Sequence, residues 1–360
     1  MKKILVLANF DVGLYKFRKE LLKALLDEGN EVYISLPDGT LVRPLEEMGC
    51  IFVETDVDRR GVNPFVDYKL ILQYYKLIKK IKPDMVITYT VKPNVYGGIV
   101  CRMLKVPYAI NITGLGTAFQ TENIIKKIVC FLYKIACKKA KVVFFENEGN
   151  RQIFLEEKLV HEEQTCRLNG AGVNVEEYSF TEYPDESEPI HFLFIGRVMK
   201  EKGVDELFEV ARRIKEEYPE IIFDIVGPFE DDYENAIAEL VEEGVIQYHG
   251  FQEDVKPFIK QSHCFVLPSY HEGMANTLLE AGAMGRPLIT SNIHGCMEAV
   301  EEGTNGYLCE KQSAESLYEA VKKFVAVDYA TKQQMGLESR KHVERVFDKK
   351  KVVEETITRL

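Results

Sequence analysis

Short apolar runs alternate with amphipathic segments along the chain, and this alternation constrains the fold more than any other sequence feature. Residues 4–8, 84–88 and 264–267 have the length and apolar character of buried parallel strands, and helical patterns lie between such runs. The alternation stops across an acidic, proline-containing segment at residues 176–189 and restarts at residue 191. Repeated β-α-β units predict an α/β fold with two Rossmann-like, doubly wound parallel-sheet domains facing a cleft.

The predicted boundaries follow from the acidic segment, which is interpreted as an interdomain linker. The first domain spans residues 1–175 and the second spans residues 176–344, while a final helix at 345–360 is expected to pack back on the first domain. A chain of 360 residues with 46% hydrophobic and 29% charged residues has the composition of a folded globular protein. No apolar run approaches the roughly 20 residues needed to span a bilayer.

Two further sequence features predict a cytoplasmic protein. The apolar run near Met1 stops at Asn9, and Asp11 follows, so we interpret this run as a first strand rather than a signal peptide. Eight cysteines are scattered singly with no C-x-x-C pair, which is typical of reduced thiols and argues against a zinc site or a disulfide framework.

Charge is distributed unevenly between the two halves of the chain. The net charge of −11 divides into about +6 for residues 1–170 and −17 for the remainder. A basic half predicts an anionic partner, and no nucleic-acid-binding motif is present. We therefore expect the first half to face a membrane surface or a phosphorylated lipid rather than nucleic acid.

The most informative stretch is a β-loop-α unit between residues 262 and 296. A helix is predicted to begin near Asn276 or Thr277, with either residue as its N-cap, and the preceding loop contains Glu272. Free backbone N–H groups at a helix start bind anions, whereas carboxylates suit sugar hydroxyls. Glu280 lies among apolar residues and is expected to be half-buried, where an unpartnered carboxylate is costly. The unit therefore favours a ligand with both phosphate and sugar groups, such as a nucleotide sugar.

A second motif follows the first strand of the second domain. Arg197 and Lys202 lie in the loop of residues 196–203, at the carboxyl end of a predicted strand. Two cations facing the helix start near Asn276 would enclose a diphosphate from both sides. The corresponding turn of the first domain has Gly13 but no G-x-G-x-x-G, so a dinucleotide site is not expected there.

Together these motifs resemble the family-four retaining glycosyltransferases of GT-B fold, over nearly the whole chain. The pattern is most similar to the subgroup that assembles capsule, O-antigen and N-glycan saccharides. The resemblance rests on Gly196-Arg197, Lys202-Gly203, Pro268-Ser269, Glu272-Gly273, Leu279-Glu280-Ala281, Gly285-Arg286-Pro287, Gly295-Cys296, Glu298, Asn305-Gly306, the stretch from Asn111 to Gly116, and Asn63-Pro64-Phe65.

The resemblance implies a role for each of these side chains. Arg197 and Lys202 would neutralise the donor diphosphate, Glu272 would contact the transferred sugar, and Glu280 would contact the ribose. Gly196 and the backbone of the loop and helix start would hold a phosphate, with Gly13 approaching from the other lobe and Phe251 bordering the base. The loop and helix-start residues are Gly273, Met274, Ala275, Asn276 and Thr277.

One departure from the family pattern concerns the first domain. Many relatives have a histidine near the reacting carbon, but the first histidine here is His161. The loop of residues 113–117 occupies the corresponding region, and Asn111, Thr113 and Gly114 are the predicted acceptor-side residues.

The expected chemistry needs no cofactor. No Asp-x-Asp metal signature follows a strand, so positive side chains would replace a metal in stabilising the departing diphosphate. No protein general base is assigned, because in retaining enzymes of this type the β-phosphate is thought to accept the proton of the acceptor hydroxyl. His271 and His294 are expected to be structural or to orient the donor.

The acceptor prediction rests on residues 124–141. Ile124, Ile128 and Phe131 fall on one helical stripe that continues through Leu132 and Ile135, with lysines along its flank. Such a stripe fits either reversible docking of a peripheral enzyme at the inner face of the cytoplasmic membrane or an ordinary helix packed on the sheet. The sequence thus predicts transfer of a hexose or N-acetylhexosamine from a UDP-sugar or another nucleotide sugar to a polyprenyl-diphosphate-linked saccharide. The alternatives are a nucleotide-sugar 2-epimerase of the same fold and a non-catalytic bilobed sugar-binding protein.

Overall fold

A computed structural model describes residues 1–58, 63–116, 119 and 124–360. The chain divides into two compact units. Unit 1 contains residues 1–171 and 349–360, and unit 2 contains residues 172–348. All eight cysteines are free thiols, as the scattered spacing predicts.

Unit 1 is built on a parallel sheet in which the described residues contribute seven strands. The order is β3-β2-β1-β4-β5-β6-β7, so the chain winds outward in both directions from the neighbouring strands β1 and β4. This topology confirms the predicted doubly wound sheet. The strands are β1 Lys3–Leu7, β2 Glu31–Leu36, β3 Ile51–Glu54, β4 Met85–Tyr89, β5 Tyr108–Ile112, β6 Val142–Phe145 and β7 Thr165–Arg167.

Helices cover both faces of this sheet. Helix α3 (Pro64–Ile81) has a capped start, because the side chain of Asn63 accepts a hydrogen bond from the amide of Phe65 and Pro64 occupies the first helical position. A π-helical turn at Pro93–Gly97 leads directly into α4. The helices of this region are α1 Asp11–Asp27, α2 Val42–Glu47, α3 Pro64–Ile81, α4 Gly98–Leu104, α5 Ile124–Cys137 and α6 Glu148–Glu156.

Unit 2 repeats the architecture with a parallel sheet of six strands among the described residues. Its order is β10-β9-β8-β11-β12-β13, and here β8 and β11 are the neighbours from which the chain winds outward. The last strand of the sheet has only four residues and was not predicted from the sequence. The strands are β8 His191–Ile195, β9 Ile222–Val226, β10 Gln247–Tyr248, β11 Cys264–Leu267, β12 Leu288–Ser291 and β13 Gly306–Cys309.

One continuous apolar core lies on both faces of the second sheet. Strand β11 is fully buried, as expected for a central parallel strand, and α10 packs Leu278, Leu279 and Ala281 into the same core. The surrounding helices are α7 Val204–Glu217, α8 Glu234–Glu242, α9 Lys256–Gln261, α10 Asn276–Ala283, α11 Ala314–Ala326 and α12 Tyr329–Val346.

Residues 176–189 correct one prediction, because this segment is part of unit 2 rather than a linker. Arg286 is fully buried and its guanidinium donates to the backbone of the segment as well as to α9 and α10. Burial lowers the pKa of Arg286 to about 10. The acidic composition of the segment hid its anchoring, which depends on its carbonyl oxygens and on the hydroxyl of Thr181, which also accepts from Arg286 at 2.8 Å. The accepting carbonyls belong to Thr181, Glu182, Ile259, Lys260, Met284 and Gly285.

The chain returns to unit 1 through α13, Lys349–Arg359. Val353 and Ile357 pack against the cluster formed by α1 and the first strands of the sheet. The ammonium of Lys349 is buried and donates to the carbonyl of Phe17 at 3.1 Å. Helix α13 is thus part of the unit 1 core.

Candidate active site

The carboxyl ends of β8 and β11 define the centre of the candidate site in unit 2. In doubly wound sheets, ligands bind beyond the carboxyl ends of strands at the point where the winding direction changes. Register places Phe192 of β8 opposite Cys264 of β11. The loops that follow these two strands carry Arg197 and Lys202 on one side and Glu272 on the other, so the sheet brings the two sequence motifs together.

The two loops touch through their backbones. The amide of Tyr270 donates to the carbonyl of Glu201 at 2.9 Å. Gly203 has a φ of 71°, and a Cβ on it would lie 2.1 Å from the carbonyl oxygen of Pro268. Only glycine fits both the left-handed backbone and this close approach. The loop that carries Lys202 is therefore held at a fixed distance from the loop that carries Glu272.

Lys202 and Glu272 form an ion pair across this junction. The same carboxylate oxygen also accepts a hydrogen bond from the hydroxyl of Ser269 at 2.8 Å. Both charged side chains are largely shielded from solvent. The pair presents one cation and one carboxylate at the end of the sheet, which are the groups needed for a phosphate and for sugar hydroxyls.

Arg197 lies in the same loop but in a different environment. Its guanidinium is 3.4 Å from the carboxylate of Glu230, and 47% of its side chain is exposed. The preceding residue, Gly196, donates its amide to the carbonyl of Val226 at 3.0 Å. Of the two predicted diphosphate cations, Lys202 is thus the more shielded and Arg197 the more accessible.

The start of α10 differs from the prediction in its capping. Ala275 is the N-cap residue, and no side chain caps the helix, so neither Asn276 nor Thr277 serves as the cap. The physical reason is that the amide of Ala275 donates to the carbonyl of Gly295 at 2.8 Å, which fixes the backbone one residue earlier. Gly295, with a φ of 91°, packs directly on the carbonyl of Gly273.

Two predicted contacts at this helix start have distinct environments. Met274 is buried, and its side chain belongs to the unit 2 core. Among the described residues, the side-chain oxygen of Asn276 is buried and has no hydrogen-bond partner. A buried oxygen without a partner at a helix start is a position where a ligand hydroxyl or a bound water improves the hydrogen bonding.

Glu280 lies one turn into α10 and is half-buried, as predicted. Its partner is the phenol of Tyr178, and burial together with the nearby Glu280 carboxylate raises the pKa of that phenol. Tyr178 could not be chosen from the sequence, because it lies in the segment interpreted as a linker. Its contact with Glu280 joins that segment to α10.

Phe251 follows β10 and is 68% exposed. The loop that presents it is anchored by the amide of Gly227, which donates to the carbonyl of Gly250 at 2.8 Å. Asp224 accepts hydrogen bonds from both His191 and His249 at 2.7 Å, which ties the residue before Gly250 to the sheet. An exposed aromatic ring on an anchored loop is a suitable surface for stacking a nucleotide base.

The two histidines nearest the site have separate surroundings. Burial and the nearby Lys311 lower the pKa of His271. His294 bonds to the carboxylate of Glu298 at 2.9 Å. The Glu298 carboxylate also accepts a hydrogen bond from the amide of Gly295 at 2.7 Å. His294 therefore contacts the carboxylate that holds the Gly295 turn, and its role, structural or donor-orienting, stays a prediction.

The acceptor-side predictions fall in unit 1. Asn111 is buried in β5 and donates to the carbonyl of Thr88 at 3.2 Å, so its side chain joins two strands. Thr113 and Gly114 follow the strand and are half-buried. Gly13 lies in the first turn of α1 against the ring of Phe10, rather than in a loop. Thr117, the end of the predicted loop, lies outside the described residues.

Two family models match the chain in succession. The model for glycosyl transferases group 1 matches residues 176–342, and the model for glycosyl transferase 4-like proteins matches residues 3–147. The first range lies in unit 2 and includes β8 to β13, and the second lies in unit 1 and includes β1 to β6.

Curated relatives match over most of their length. The chain is 27% identical to the N,N'-diacetylbacillosaminyl-diphospho-undecaprenol alpha-1,3-N-acetylgalactosaminyltransferase of Campylobacter jejuni, over 88% of this chain and 87% of the relative. It is 30% identical to the UDP-Gal:alpha-D-GlcNAc-diphosphoundecaprenol alpha-1,3-galactosyltransferase of Escherichia coli, over 73% of this chain and 71% of the relative.

Solved structures share the fold. A glycosyltransferase from Rickettsia africae has a TM-score of 0.83 and 21% identity, over 99% of this chain and 97% of its own. Anabaena HepE in complex with UDP-glucose has a TM-score of 0.81 and 17% identity over the full length of both chains.

The two Rossmann-like units give this chain the GT-B fold. The chain belongs to the glycosyltransferase family described by the group 1 and 4-like models.

Proposed function

We propose that this enzyme transfers a hexose or N-acetylhexosamine from a UDP-sugar to a polyprenyl-diphosphate-linked saccharide during surface polysaccharide biosynthesis. The observation that carries the proposal is the Lys202–Glu272 pair at the carboxyl ends of β8 and β11, supported by Ser269. The two curated relatives described above act, by their names, on diphospho-undecaprenol-linked sugars, and the second uses UDP-Gal. Those names support the lipid-linked acceptor and the uridine nucleotide.

Each site residue has a proposed role in this reaction. The bond between the anomeric carbon and the β-phosphate oxygen breaks, and a bond from the same carbon to the acceptor oxygen forms. Lys202 and Arg197 stabilise the negative charge that develops on the departing diphosphate, and Glu272 holds hydroxyls of the transferred sugar. Glu280 binds the ribose hydroxyls, and Phe251 stacks on the uracil.

Retention of configuration and independence from metal are part of the proposal. The acceptor hydroxyl attacks from the face that the diphosphate leaves, and the β-phosphate oxygen accepts its proton. Support for metal independence comes from the two cations, because Lys202 and Arg197 supply the positive charge that a divalent ion supplies in other transferases.

The acceptor proposal includes reversible docking of unit 1 on an anionic membrane. Ile124 and Phe131 of α5 are 75% and 63% exposed, and Ile128 lies between them on the same stripe. The helix buries Tyr133, Ala136 and Cys137 instead. The helix thus packs on the sheet through these other residues, while the three apolar side chains of the stripe remain exposed. Among the described residues, no helix combines the length and hydrophobicity of a membrane span.

Helix α3 also carries exposed apolar side chains. Both helices bury residues in the same cluster, so they cover the same face of the sheet. Phe65, Tyr68 and Leu72 near the start of α3 are exposed. Exposed apolar side chains next to lysines favour insertion into the interface of a membrane with anionic lipids.

A transfer assay with separated products tests the proposal. The protein is incubated with UDP-GalNAc, UDP-Gal, UDP-GlcNAc or UDP-glucose and with undecaprenyl-diphosphate-linked N-acetylglucosamine or diacetylbacillosamine. We expect one nucleotide sugar to yield UDP and an extended lipid-linked disaccharide with an α-linkage by NMR. Release of free sugar without a lipid product would instead indicate the 2-epimerase alternative, and a β-linkage would overturn the retaining mechanism.

A further inference from the structure

The sheet of unit 1 has its own point where the winding direction changes, between β1 and β4. The ladder pairs Leu7 with Thr88 in its last register position. Asn9 and Thr90 each come two residues after a member of this pair and lie just past the carboxyl ends of β1 and β4. Ligands of doubly wound sheets bind at such an edge. In unit 2 the equivalent position is occupied by the phosphate-binding candidates.

Both residues carry a buried polar atom that lacks a partner. Within the described residues, the side-chain oxygens of Asn9 and Thr90 are shielded from solvent and have no hydrogen-bond partner. Most buried polar atoms in folded proteins are paired, so two exceptions past the ends of neighbouring strands need an explanation. Both residues as a whole are only half-buried.

The backbone at Thr90 is strained. Its φ is 70°, a left-handed conformation that is costly for a β-branched residue. The carbonyl of Thr90 accepts the amide of Asn94 at 2.9 Å, and the π-helical turn Pro93–Gly97 follows at once. Non-glycine residues in the left-handed backbone conformation are enriched at functional sites, and so are π-helical turns.

A buried polar network joins the ends of β4 and β5 close to Thr90 in the chain. The hydroxyl of Thr88 donates to Asn94 at 2.7 Å, Asn94 donates to the carbonyl of Asn111 at 2.7 Å, and Asn111 donates back to the carbonyl of Thr88. These three side chains are buried and use their hydrogen bonds on one another. The network holds the ends of β4 and β5 together. It does not include the side-chain oxygens of Asn9 and Thr90, which lack hydrogen-bond partners.

Charged groups in this part of unit 1 already have partners among the described residues. Lys92 is paired with Asp67 at 2.7 Å, Arg18 is paired with Glu146, and the carboxylate of Asp11 accepts the amide of Leu41 at 2.7 Å. The two groups that lack a partner, on Asn9 and Thr90, are a neutral amide oxygen and a neutral hydroxyl, in contrast to the Lys202–Glu272 pair of unit 2. Neutral donors and acceptors match sugar hydroxyl or acetamido groups better than they match a phosphate.

We propose that Asn9 and Thr90 form the recognition site for the sugar of the lipid-linked acceptor. The proposal rests on the glycosyltransferase function proposed above and assigns the acceptor saccharide to unit 1. Hydroxyl or acetamido groups of that sugar supply the hydrogen bonds that the two side-chain oxygens lack. The strain at Thr90 holds its hydroxyl at the sheet edge.

The test compares two lipids that differ only in the sugar. Binding of undecaprenyl-diphosphate-linked N-acetylglucosamine and of bare undecaprenyl diphosphate is measured in detergent micelles with UDP present. We expect the unaltered protein to bind the sugar-bearing lipid more tightly. Thr90→Val and Asn9→Ala should each reduce this preference by roughly tenfold, the effect of one lost buried hydrogen bond.

Two further variants separate recognition from structural support. Thr90→Gly removes the hydroxyl but relieves the left-handed strain, so the preference should fall while the melting temperature stays unchanged or rises. Tyr74→Phe is the matched control, since the phenol of Tyr74 is also buried and unpartnered but lies within α3. This control should leave the lipid preference intact.

Several outcomes would overturn the proposal. No preference for the sugar-bearing lipid in the unaltered protein would do so, and so would a preference that survives Thr90→Val and Asn9→Ala. A large loss of melting temperature in Thr90→Gly with an unchanged preference would assign Thr90 a purely structural role. Binding of UDP is measured in parallel, and its persistence would leave the donor half of the proposed function standing.

Discussion

The ammonium of Lys202 is paired with the carboxylate of Glu272, a residue 70 positions later in the chain, at the carboxyl ends of two neighbouring strands. Each charged group neutralises the other in the protein without ligand. A nucleotide sugar offers each of them a better partner, because its diphosphate is anionic and its hydroxyls are donors. Donor binding therefore exchanges one ion pair for two ligand contacts, which reduces the desolvation cost of binding.

Lys202→Ala should abolish most of the activity because it removes the shielded cation at the leaving group. We expect kcat to fall by roughly 10²–10³, the usual effect of losing one preorganised donor to a developing charge. Arg197→Ala should cost less, since Arg197 is more exposed and paired with Glu230. Steady-state kinetics of UDP release measures both effects, and normal turnover by the Lys202→Ala, Arg197→Ala double variant would contradict the site.

Glu280→Gln should weaken the recognition of ribose. The half-buried carboxylate is oriented by the phenol of Tyr178, and a carboxylate accepts hydrogen bonds from two vicinal hydroxyls better than an amide does. We expect a loss of affinity for UDP of about tenfold and a much smaller loss for 2'-deoxy-UDP. Calorimetry with the two nucleotides checks this.

Tyr178→Phe is a milder test of the same contact. It keeps the ring and removes the hydroxyl that contacts Glu280, so its effect should have the same direction and a smaller size. Equal losses for UDP and 2'-deoxy-UDP in both variants would place Glu280 away from the ribose.

Reversing the charges of α5 should lower membrane affinity. Lys127, Lys134 and Lys138 contribute about 1 kcal/mol each near an anionic leaflet, so changing all three to Glu should reduce binding to phosphatidylglycerol vesicles by well over tenfold. Sedimentation with liposomes measures the effect. Replacing Phe131 by Ser should also weaken binding, because that ring is exposed on the apolar stripe.

The matched control for the membrane prediction is Leu337→Ser. Leu337 is also an exposed apolar residue, but it lies on α12 of unit 2. This variant should bind vesicles like the unaltered protein. Unchanged binding by the triple lysine variant would instead remove the electrostatic part of the docking proposal.

Stability should decrease between neutral and mildly acidic pH because of His263. Burial, reinforced by the positive charges of Arg286 and Lys332 and by His191, lowers the pKa of His263 from 6.5 to about 4. Between these values the unfolded chain binds a proton that the folded protein does not, so the free energy of unfolding falls as the pH falls. We expect this residue to contribute a loss of about 1–2 kcal/mol between pH 7 and pH 5.

Urea unfolding of the unaltered protein and of His263→Asn isolates that contribution. Asparagine can still accept the hydrogen bond that the amide of His191 donates at 3.1 Å, but it does not titrate. The other ionisable groups are common to both proteins, so the difference between the two pH profiles reports His263. Parallel profiles would show that His263 titrates normally in the folded state.

The architecture could be predicted from the sequence, because the hydrophobic periodicity of a strand or a helix depends only on residues close together in the chain. Runs such as Cys264–Leu267 are buried on both faces, and their uniform apolar character is visible without any knowledge of neighbours. That Lys202 and Glu272 lie near one site could be predicted, because each follows a strand and the carboxyl ends of the two strands lie at the same edge of the sheet. Sequence could not reveal that Ser269 completes the pair, because a serine after a proline has many uses.

The features that sequence missed depend on contacts distant in the chain. Strand β13 is short, and its place at the sheet edge comes from pairing with β12. The anchoring of residues 176–189 depends on residues far along the chain, among them the buried guanidinium of Arg286 and the guanidinium of Arg340. The unmatched oxygens of Asn9 and Thr90 become visible only when β1 and β4 are aligned. None of these contacts corresponds to a repeating pattern of apolar and polar residues that could be recognised in the sequence.

The return of α13 to unit 1 has a consequence for how this protein is made. Residues 349–360 emerge from the ribosome after all of unit 2, yet Val353 and Ile357 complete the apolar layer over α1. During synthesis the first sheet must therefore wait, with one flank of its core uncovered, until the second has been translated. A nascent chain released before residue 349 would expose that flank and become a target for chaperones, even though every strand of the first sheet had already been made.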